Sequence, residues 1–195
     1  MQEHLKDVGT FIFYIGLAAS IYFKPKYDKW LKNRKVNLGK SVEVIKQIDN
    51  YCYYLLGILE AKRISVWQFG NGDTSFMGFS FKYSSMVGEA VRQDQAFLRN
   101  FSQKIPIYDY VPILTDMLNN KGVFLYLKET FKGHNLYHIL TSLDIIFCAE
   151  CRLNPDRLED GILSISFDTE KTLSVHEIEE IERVSYEIYK LLKQN

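Results

Sequence analysis

The stretch Ile64-Ser65-Val66-Trp67-Gln68-Phe69, then Gly70-Asn71-Gly72-Asp73, then Phe76-Met77-Gly78-Phe79-Ser80-Phe81-Lys82-Tyr83 decides the fold class of this chain. Its first part is rich in branched and aromatic residues, which suit a pleated, half-buried surface. Gly70–Asp73 is a dense turn signal. Phe76–Tyr83 alternates bulky and small or polar residues and is predicted to pair back as the second strand of a hairpin. Gly70-x-Gly72 lacks the remaining glycine of a dinucleotide fingerprint, so its reading is a hairpin turn.

On the N-terminal side, Lys40–Ala61 carries Val42, Ile45, Ile48, Cys52, Leu55, Leu56 and Leu59 at three- and four-residue steps, the spacing of an amphipathic helix. On the C-terminal side, Ser85–Ser102 reads as partly helical through Met86, Val87, Ala90, Val91 and Phe97. Pro106 and Pro112 limit regular structure. Ile113–Asn119 is predicted as a short helix, closed by Asn120-Lys121-Gly122. Val123–Leu127 follows as a buried strand and His134–Leu140 as a second short helix. Leu143–Arg152 and Gly161–Phe167 are predicted strands joined by the polar loop Asn154–Asp160.

The last helix has the clearest signals. Ser174 and Glu177 form a capping-box pair, and Leu173 with Ile178 a hydrophobic staple. Ile178, Ile181, Val184, Ile188, Leu191 and Leu192 make its apolar stripe. The acidic run Glu177–Glu182 is a solvated face at the favourable end of the helix dipole. A helix, antiparallel strands, short central helices and a final helix make an α+β domain, its N- and C-terminal helices packed together on one face of the sheet.

Before that domain, Val8–Phe23 (VGTFIFYIGLAASIYF) holds no charge and is followed at once by KPKYDKWLKNRK. The run is slightly short of the ~20 residues of a spanning helix, and Tyr14, Tyr22, Tyr27 and Trp30 can extend it at the interface. The n-region is not clearly basic and Ile21-Tyr22-Phe23 lacks small residues, so a cleaved signal peptide fits poorly. A buried helix of the fold is the competing reading. Lys24, Lys26, Lys29, Lys32, Arg34 and Lys35 form the expected membrane-surface contact, each contributing about 1 kcal/mol near anionic headgroups. Their excess on the C-terminal side predicts a single-pass protein with a cytoplasmic domain. Residues 1–35 are thus read as anchor and juxtamembrane segment, and residues 36–195 as one globular domain. Gly16-Leu17-Ala18-Ala19-Ser20 allows close helix approach, a weak pointer to a homo-oligomer.

The whole chain of 195 residues has a formal net charge of zero, 47% hydrophobic residues and 14% aromatics, with 13 Tyr and 13 Phe. That supports a core and excludes a disordered chain. The globular part carries no basic stripe, so a nucleic-acid partner is not expected. Three cysteines do not make a disulfide framework and agree with a reducing compartment.

From Lys40 to Asn195 the element order resembles the GAF/PAS-like sensor fold. That resemblance implies paired terminal helices behind an antiparallel sheet and a small-molecule pocket on its other face. Trp67-Gln68-Phe69-Gly70-Asn71-Gly72, with Phe79–Met86 and Glu89, is similar to a segment of membrane-anchored GAF-like proteins of tailed phages. There a Phe-His-Asn-Gly turn is common; here Gly70 stands in place of the His. No activity is implied. A second resemblance, carried by Cys151–Asn195, is to the final hairpin and helix of large-domain phage holins, which have one N-terminal membrane helix. In those proteins the globular domain lies outside the inner membrane, opposite to the side predicted by the basic flank.

His134-x-x-x-His138 and Cys148-x-x-Cys151 are the sharpest chemical pattern. Two histidines on one helical face and a Cys-x-x-Cys turn could chelate zinc. If Leu143–Arg152 is one strand, however, the thiols point to opposite faces, one buried and one exposed, and no metal is expected. Asp73, Asp109, Asp116, Glu129 and His134 could converge near a pocket. Trp67, Phe69, Phe79, Phe81 and Tyr83 are candidate pocket-lining residues, with ordinary core as the competing reading. No nucleophile elbow, phosphate-binding loop or HExxH is present, so neither a catalytic residue nor a cofactor is expected. The reading is a membrane-tethered, non-enzymatic sensing or protein-interaction module, with membrane lipid, a protein partner and a small molecule as its partners. A holin-type lysis protein and a virion or other structural protein are the alternatives.

Overall fold

The computed structural model describes residue 24, residues 41–70 and residues 83–193. By its contacts the chain divides into Met1–Glu43 and Val44–Asn195. The second unit is built from helix α1 (residues 41–59) from Val44 onward, strands β1 (Arg63–Gly70), β2 (Tyr83–Val91) and β3 (Ile105–Pro106), helix α2 (Val111–Asn119), strand β4 (Val123–Leu127), helix α3 (Asn135–Ser142), strands β5 (Phe147–Asn154) and β6 (Arg157–Phe167), and helix α4 (Val175–Lys193). Single 3-10 turns at Ile107–Tyr110 and Lys128–Phe131 lead into α2 and away from β4.

The sheet has six strands in the order β3-β2-β1-β6-β5-β4, and every neighbouring pair is antiparallel. Side chains alternate across a strand, so each strand serves two layers. Ile64 and Val66 of β1, Ala149 and Cys151 of β5, and Leu163 and Ile165 of β6 face α1 and α4 and form one apolar core with Ile48, Leu55, Ile181 and Ile188. The opposite face is covered by α2, α3 and the 3-10 turns, through Ile113, Leu114, Met117, Phe131, Leu136 and Leu140. The described sheet is therefore sandwiched, and β5 is buried at every residue.

The terminal helices pack on the same face, as their periodicity implied. The α1 stripe is Val44, Ile48, Cys52, Leu55 and Leu59, whereas Val42 and Ile45 are exposed. Glu60 then takes a positive φ of 51°, and the Ala61 N–H reaches back to the Leu56 carbonyl at 3.3 Å, a Schellman closure. Lys171 donates to the Leu59 carbonyl at 2.6 Å and pairs with Glu177 at 2.9 Å. It ties the negative end of the α1 dipole to the first turn of α4. The predicted capping box is present: the Ser174 N–H donates to Glu177 Oε2 at 2.8 Å and the Glu177 N–H to Ser174 Oγ at 3.3 Å.

Several boundaries differ from expectation. Tyr83–Val91 is a strand, not the start of a helix, and is the partner of β1; Phe76–Lys82 lies outside the described residues. Met86, Glu89 and Ala90 are sound helix formers, but pairing with β1 overrides their propensity. Gly88 fits because a Cβ there would come within 2.3 Å of Ile48 Cγ2, where α1 presses on the sheet. The predicted loop Asn154–Asp160 is mostly strand: β6 begins at Arg157, and Asn154 pairs with it across a tight turn. Gly161 holds φ at 122°, and a Cβ there would lie 2.2 Å from the Trp67 carbonyl oxygen. Strand β1 closes on β6 at that point. Among the described residues no helix is long and apolar enough to cross a membrane. The run Val8–Phe23 and the Gly16–Ser20 pattern lie outside them.

Candidate functional site

The register of the sheet sets one polar row on the face turned away from α1 and α4. Glu89 of β2 lies opposite Ser65 of β1, Ser65 opposite Ser164 of β6, and Ser164 opposite Glu150 of β5. Beside it runs a second row, Arg63, Ser166, Cys148 and Tyr126. Of these rows Ser65, Ser164, Glu150, Arg63, Ser166 and Cys148 are the floor of a cavity of ≈ 110 Å³. Its roof is apolar and comes from Leu136, Ile139 and Leu140 of α3, Ile113 of α2, Phe131 and Ile145. Leu98, Ser102 and Ile105 close one side, and Trp67 and Tyr110 stand at another. The rings of Trp67 and Tyr110 are 5.9 Å apart and tilted.

One end of the floor is neutralised within the protein. Arg63 and Glu89 form a buried ion pair. Glu89 also accepts the Leu98 N–H at 2.9 Å and the Arg99 N–H at 2.8 Å, and Arg63 donates to the Ala96 carbonyl at 2.8 Å. Residues 96–99 are thereby held beside the cavity. Burial lowers the Arg63 pKa and the Glu89 carboxylate opposes that shift.

Glu150 at the other end is treated differently. Its side chain is buried, and Oε1 accepts a hydrogen bond from Ser164 Oγ at 2.8 Å. Oε2 has no hydrogen-bond partner among the described residues. Burial raises its pKa to about 8, with the Ser164 bond a smaller opposing effect. At neutral pH the carboxyl is thus mostly protonated, and a group that stabilised its anion would ionise it. Trp67 Nε1 donates to Ser65 Oγ at 3.0 Å, which fixes the indole against the floor.

The residues singled out from the sequence fall in different places. Trp67 lines the cavity, and Phe69 packs at the edge of the same apolar cluster. Tyr83 is exposed at the start of β2, with 42% of its surface accessible. Phe79, Phe81 and Asp73 lie outside the described residues. Asp116 accepts the Tyr126 hydroxyl at 3.1 Å, and Glu129 sits in an exposed 3-10 turn. Lys24 is exposed, and Lys26, Lys29, Lys32, Arg34 and Lys35 are not described.

His134 precedes α3 in extended backbone and His138 lies within it, both exposed. Cys148 belongs to the cluster beneath α2 and α3, and Cys151 to the core beneath α1 and α4. The two thiols therefore point to opposite faces. Both are buried, however, because both faces of β5 are covered; the expected exposed thiol is not there. The four residues do not converge. Burial raises the Cys148 thiol pKa, and it pushes that of Cys151 up to about 12. Ser65, Glu150, Ser164 and Ser166 were missed from the sequence. Their signal is a polar residue at every second position of otherwise apolar strands.

No protein-family model matches this chain, and no curated protein is similar to it in sequence. Solved structures do match. The blue-light-absorbing form of the Thermosynechococcus elongatus PixJ GAF domain superposes with a TM-score of 0.59 at 14% identity, over 80% of this chain and 89% of that one. The phycocyanobilin-bound GAF domain of a cyanobacterial phytochrome gives a TM-score of 0.59 at 13% identity, over 84% and 92%. A far-red cyanobacteriochrome photoreceptor gives 0.58 at 10% identity, over 88% and 98%. At such identities the likeness shows the fold: an α+β GAF-domain architecture, similar to that of cyanobacteriochrome and phytochrome GAF domains.

Proposed function

We propose that this chain is a membrane-tethered, non-enzymatic sensing module that binds a small molecule between the sheet and its α2/α3 cover. The observation that carries this reading is the cavity itself: an apolar roof over a short polar floor with one buried, half-bonded carboxyl. Cavities with few, well-placed polar groups are what small-molecule sites look like. At ≈ 110 Å³ the space suits a molecule of a few non-hydrogen atoms; an engineered apolar cavity of roughly 150 Å³ takes up benzene. A route from cavity to helices also exists. Ser185 of α4 donates to the Arg152 carbonyl of β5 at 2.7 Å, two residues along from Glu150. The tether rests on the charge-free run Val8–Phe23 and the basic block after it.

The expected outcome is that at least one compound of a small-metabolite panel raises the melting temperature of the detergent-solubilised full chain. The same compound should leave Trp67→Ala unmoved. No response in either protein counts against sensing. Full-length chain should stay with membranes through a carbonate wash, and its release would remove the tether alone.

A further inference from the structure

We infer that the cavity is selective for a small organic ammonium ion, whose N–H groups pair with Glu150 and whose apolar body fills the space under α3. The inference rests on the small-molecule reading above and adds the ligand's chemistry. Charge decides it. Arg63, the cation among the described residues that line the cavity, is already balanced by Glu89. Arg152, farther along β5, lies outside the lining and donates to the Pro155 and Asn120 carbonyls, so an anion arriving at the floor would meet no unbalanced cation there. Glu150 has no ion-pair partner there and one oxygen without a hydrogen bond. A buried carboxyl left half-satisfied is costly, and an N–H donor relieves that cost at the single place where it arises.

The surroundings fit a cation with an apolar body. Trp67, Tyr110 and Phe131 present aromatic rings, which attract an ammonium desolvated beside them. A neutral alcohol of equal shape gains the same apolar contacts but only a weaker hydrogen bond. A carboxylate would stand beside Glu150 and be repelled when it ionises.

Binding has a defined proton balance. Burial holds Glu150 mostly neutral at pH 7. An entering ammonium pairs with the anion, so one proton leaves Glu150 for solvent as the complex forms. The other ionisable groups on the walls are Arg63 of β1, paired to Glu89 of β2, Tyr110 just before α2, and Cys148 of β5; Tyr126 of β4, bonded to Asp116 of α2, neighbours Cys148 in the sheet but is not part of the wall. Burial raises the Tyr126 and Cys148 pKa values out of the way, and α3 and β6 offer no ionisable group to the cavity. Affinity for an ammonium should rise about tenfold per pH unit up to about 8, then level off.

The test is calorimetric titration of the detergent-solubilised full chain with n-propylammonium and isobutylammonium. Each is compared with the neutral alcohol and the carboxylate of matching skeleton. Alkylammonium ions keep their charge between pH 6 and pH 9, as lysine does. At pH 8 one ammonium should bind at least about tenfold more tightly than its alcohol, and Glu150→Gln should erase that difference. Should Glu150→Gln fail to fold, the pH series on the native chain decides, since only the ammonium should gain affinity as pH rises. An alcohol or carboxylate that binds as well as the ammonium, with no pH dependence, would overturn the ammonium assignment and leave a small-molecule cavity standing. No binding by any of the probes would overturn both.

Discussion

The two faces of β5 are only a side chain apart and obey different rules. On one, Phe147, Ala149, Cys151 and Leu153 meet Ile181, Val184 and Ile188 of α4 in an apolar core into which α4 also buries the Ser185 hydroxyl, bonded to the Arg152 carbonyl. On the other, Cys148 and Glu150 meet serines and a cavity, and Arg152 is bonded to the Pro155 and Asn120 carbonyls. Apolar packing loses energy when a methylene is removed and is indifferent to pH. A buried carboxyl is the reverse. The contrast indicates that one layer holds the domain together and the other keeps, at some cost in stability, a buried carboxyl beside a cavity.

The sharpest way to break this contrast is pH. The Glu150 pKa rises from an ordinary 4.5 to about 8 on folding. A carboxyl with a raised folded pKa costs nothing below its unfolded value. The cost grows as pH climbs from about 5 to about 8, because the unfolded chain ionises first. Denaturant unfolding should therefore show the domain losing on the order of 4 kcal/mol across that window. Glu150→Gln should flatten the profile. A slope unchanged by that substitution would mean that Glu150 is not the desolvated group described.

A smaller effect belongs to the dry face. Ile181 is fully buried there. Ile181→Ala should cost about 3 kcal/mol, equally at pH 5 and pH 8, with ligand response retained in the folded fraction. If the loss instead depended on pH, the two layers would be coupled more tightly than the contrast allows.

The dry face is also the one that could be read from the residue order. Three- and four-residue spacing marks α4, and Ser174 with Glu177 marks its start. Both patterns are local, and local signals survive in a sequence. Strand β2 was harder, because Met86, Glu89 and Ala90 are helix formers and the segment is fixed as a strand by its ladder with β1. The cavity floor was harder still. Ser65, Ser164 and Glu150 are 14 to 99 positions apart in the chain and become one row only once the register of three strands is known. The alternation that exposes them was hidden in β5 by burial on both faces, since a cysteine, an alanine and another cysteine flank the one carboxyl.

The smallest expected effect sits at the edge of the dry layer. Ser174 caps α4, and the Glu177 carboxylate is held down to about pKa 2, first by Lys171 and then by the Ser174 N–H. Ser174→Ala removes the hydroxyl that accepts the Glu177 N–H at 3.3 Å and that donates to Glu177 Oε2. The backbone N–H of residue 174 still reaches Glu177, and Lys171 still joins it to the end of α1. The loss should thus be about 1 kcal/mol, the ordinary worth of a cap. Unfolding midpoints for Ser174→Ala and Ile181→Ala, measured together, should keep that order. A cap loss equal to the core loss would mean that α4 is held by its first turn rather than by its apolar stripe, and the stabilising role given to that face would have to move to the helix end.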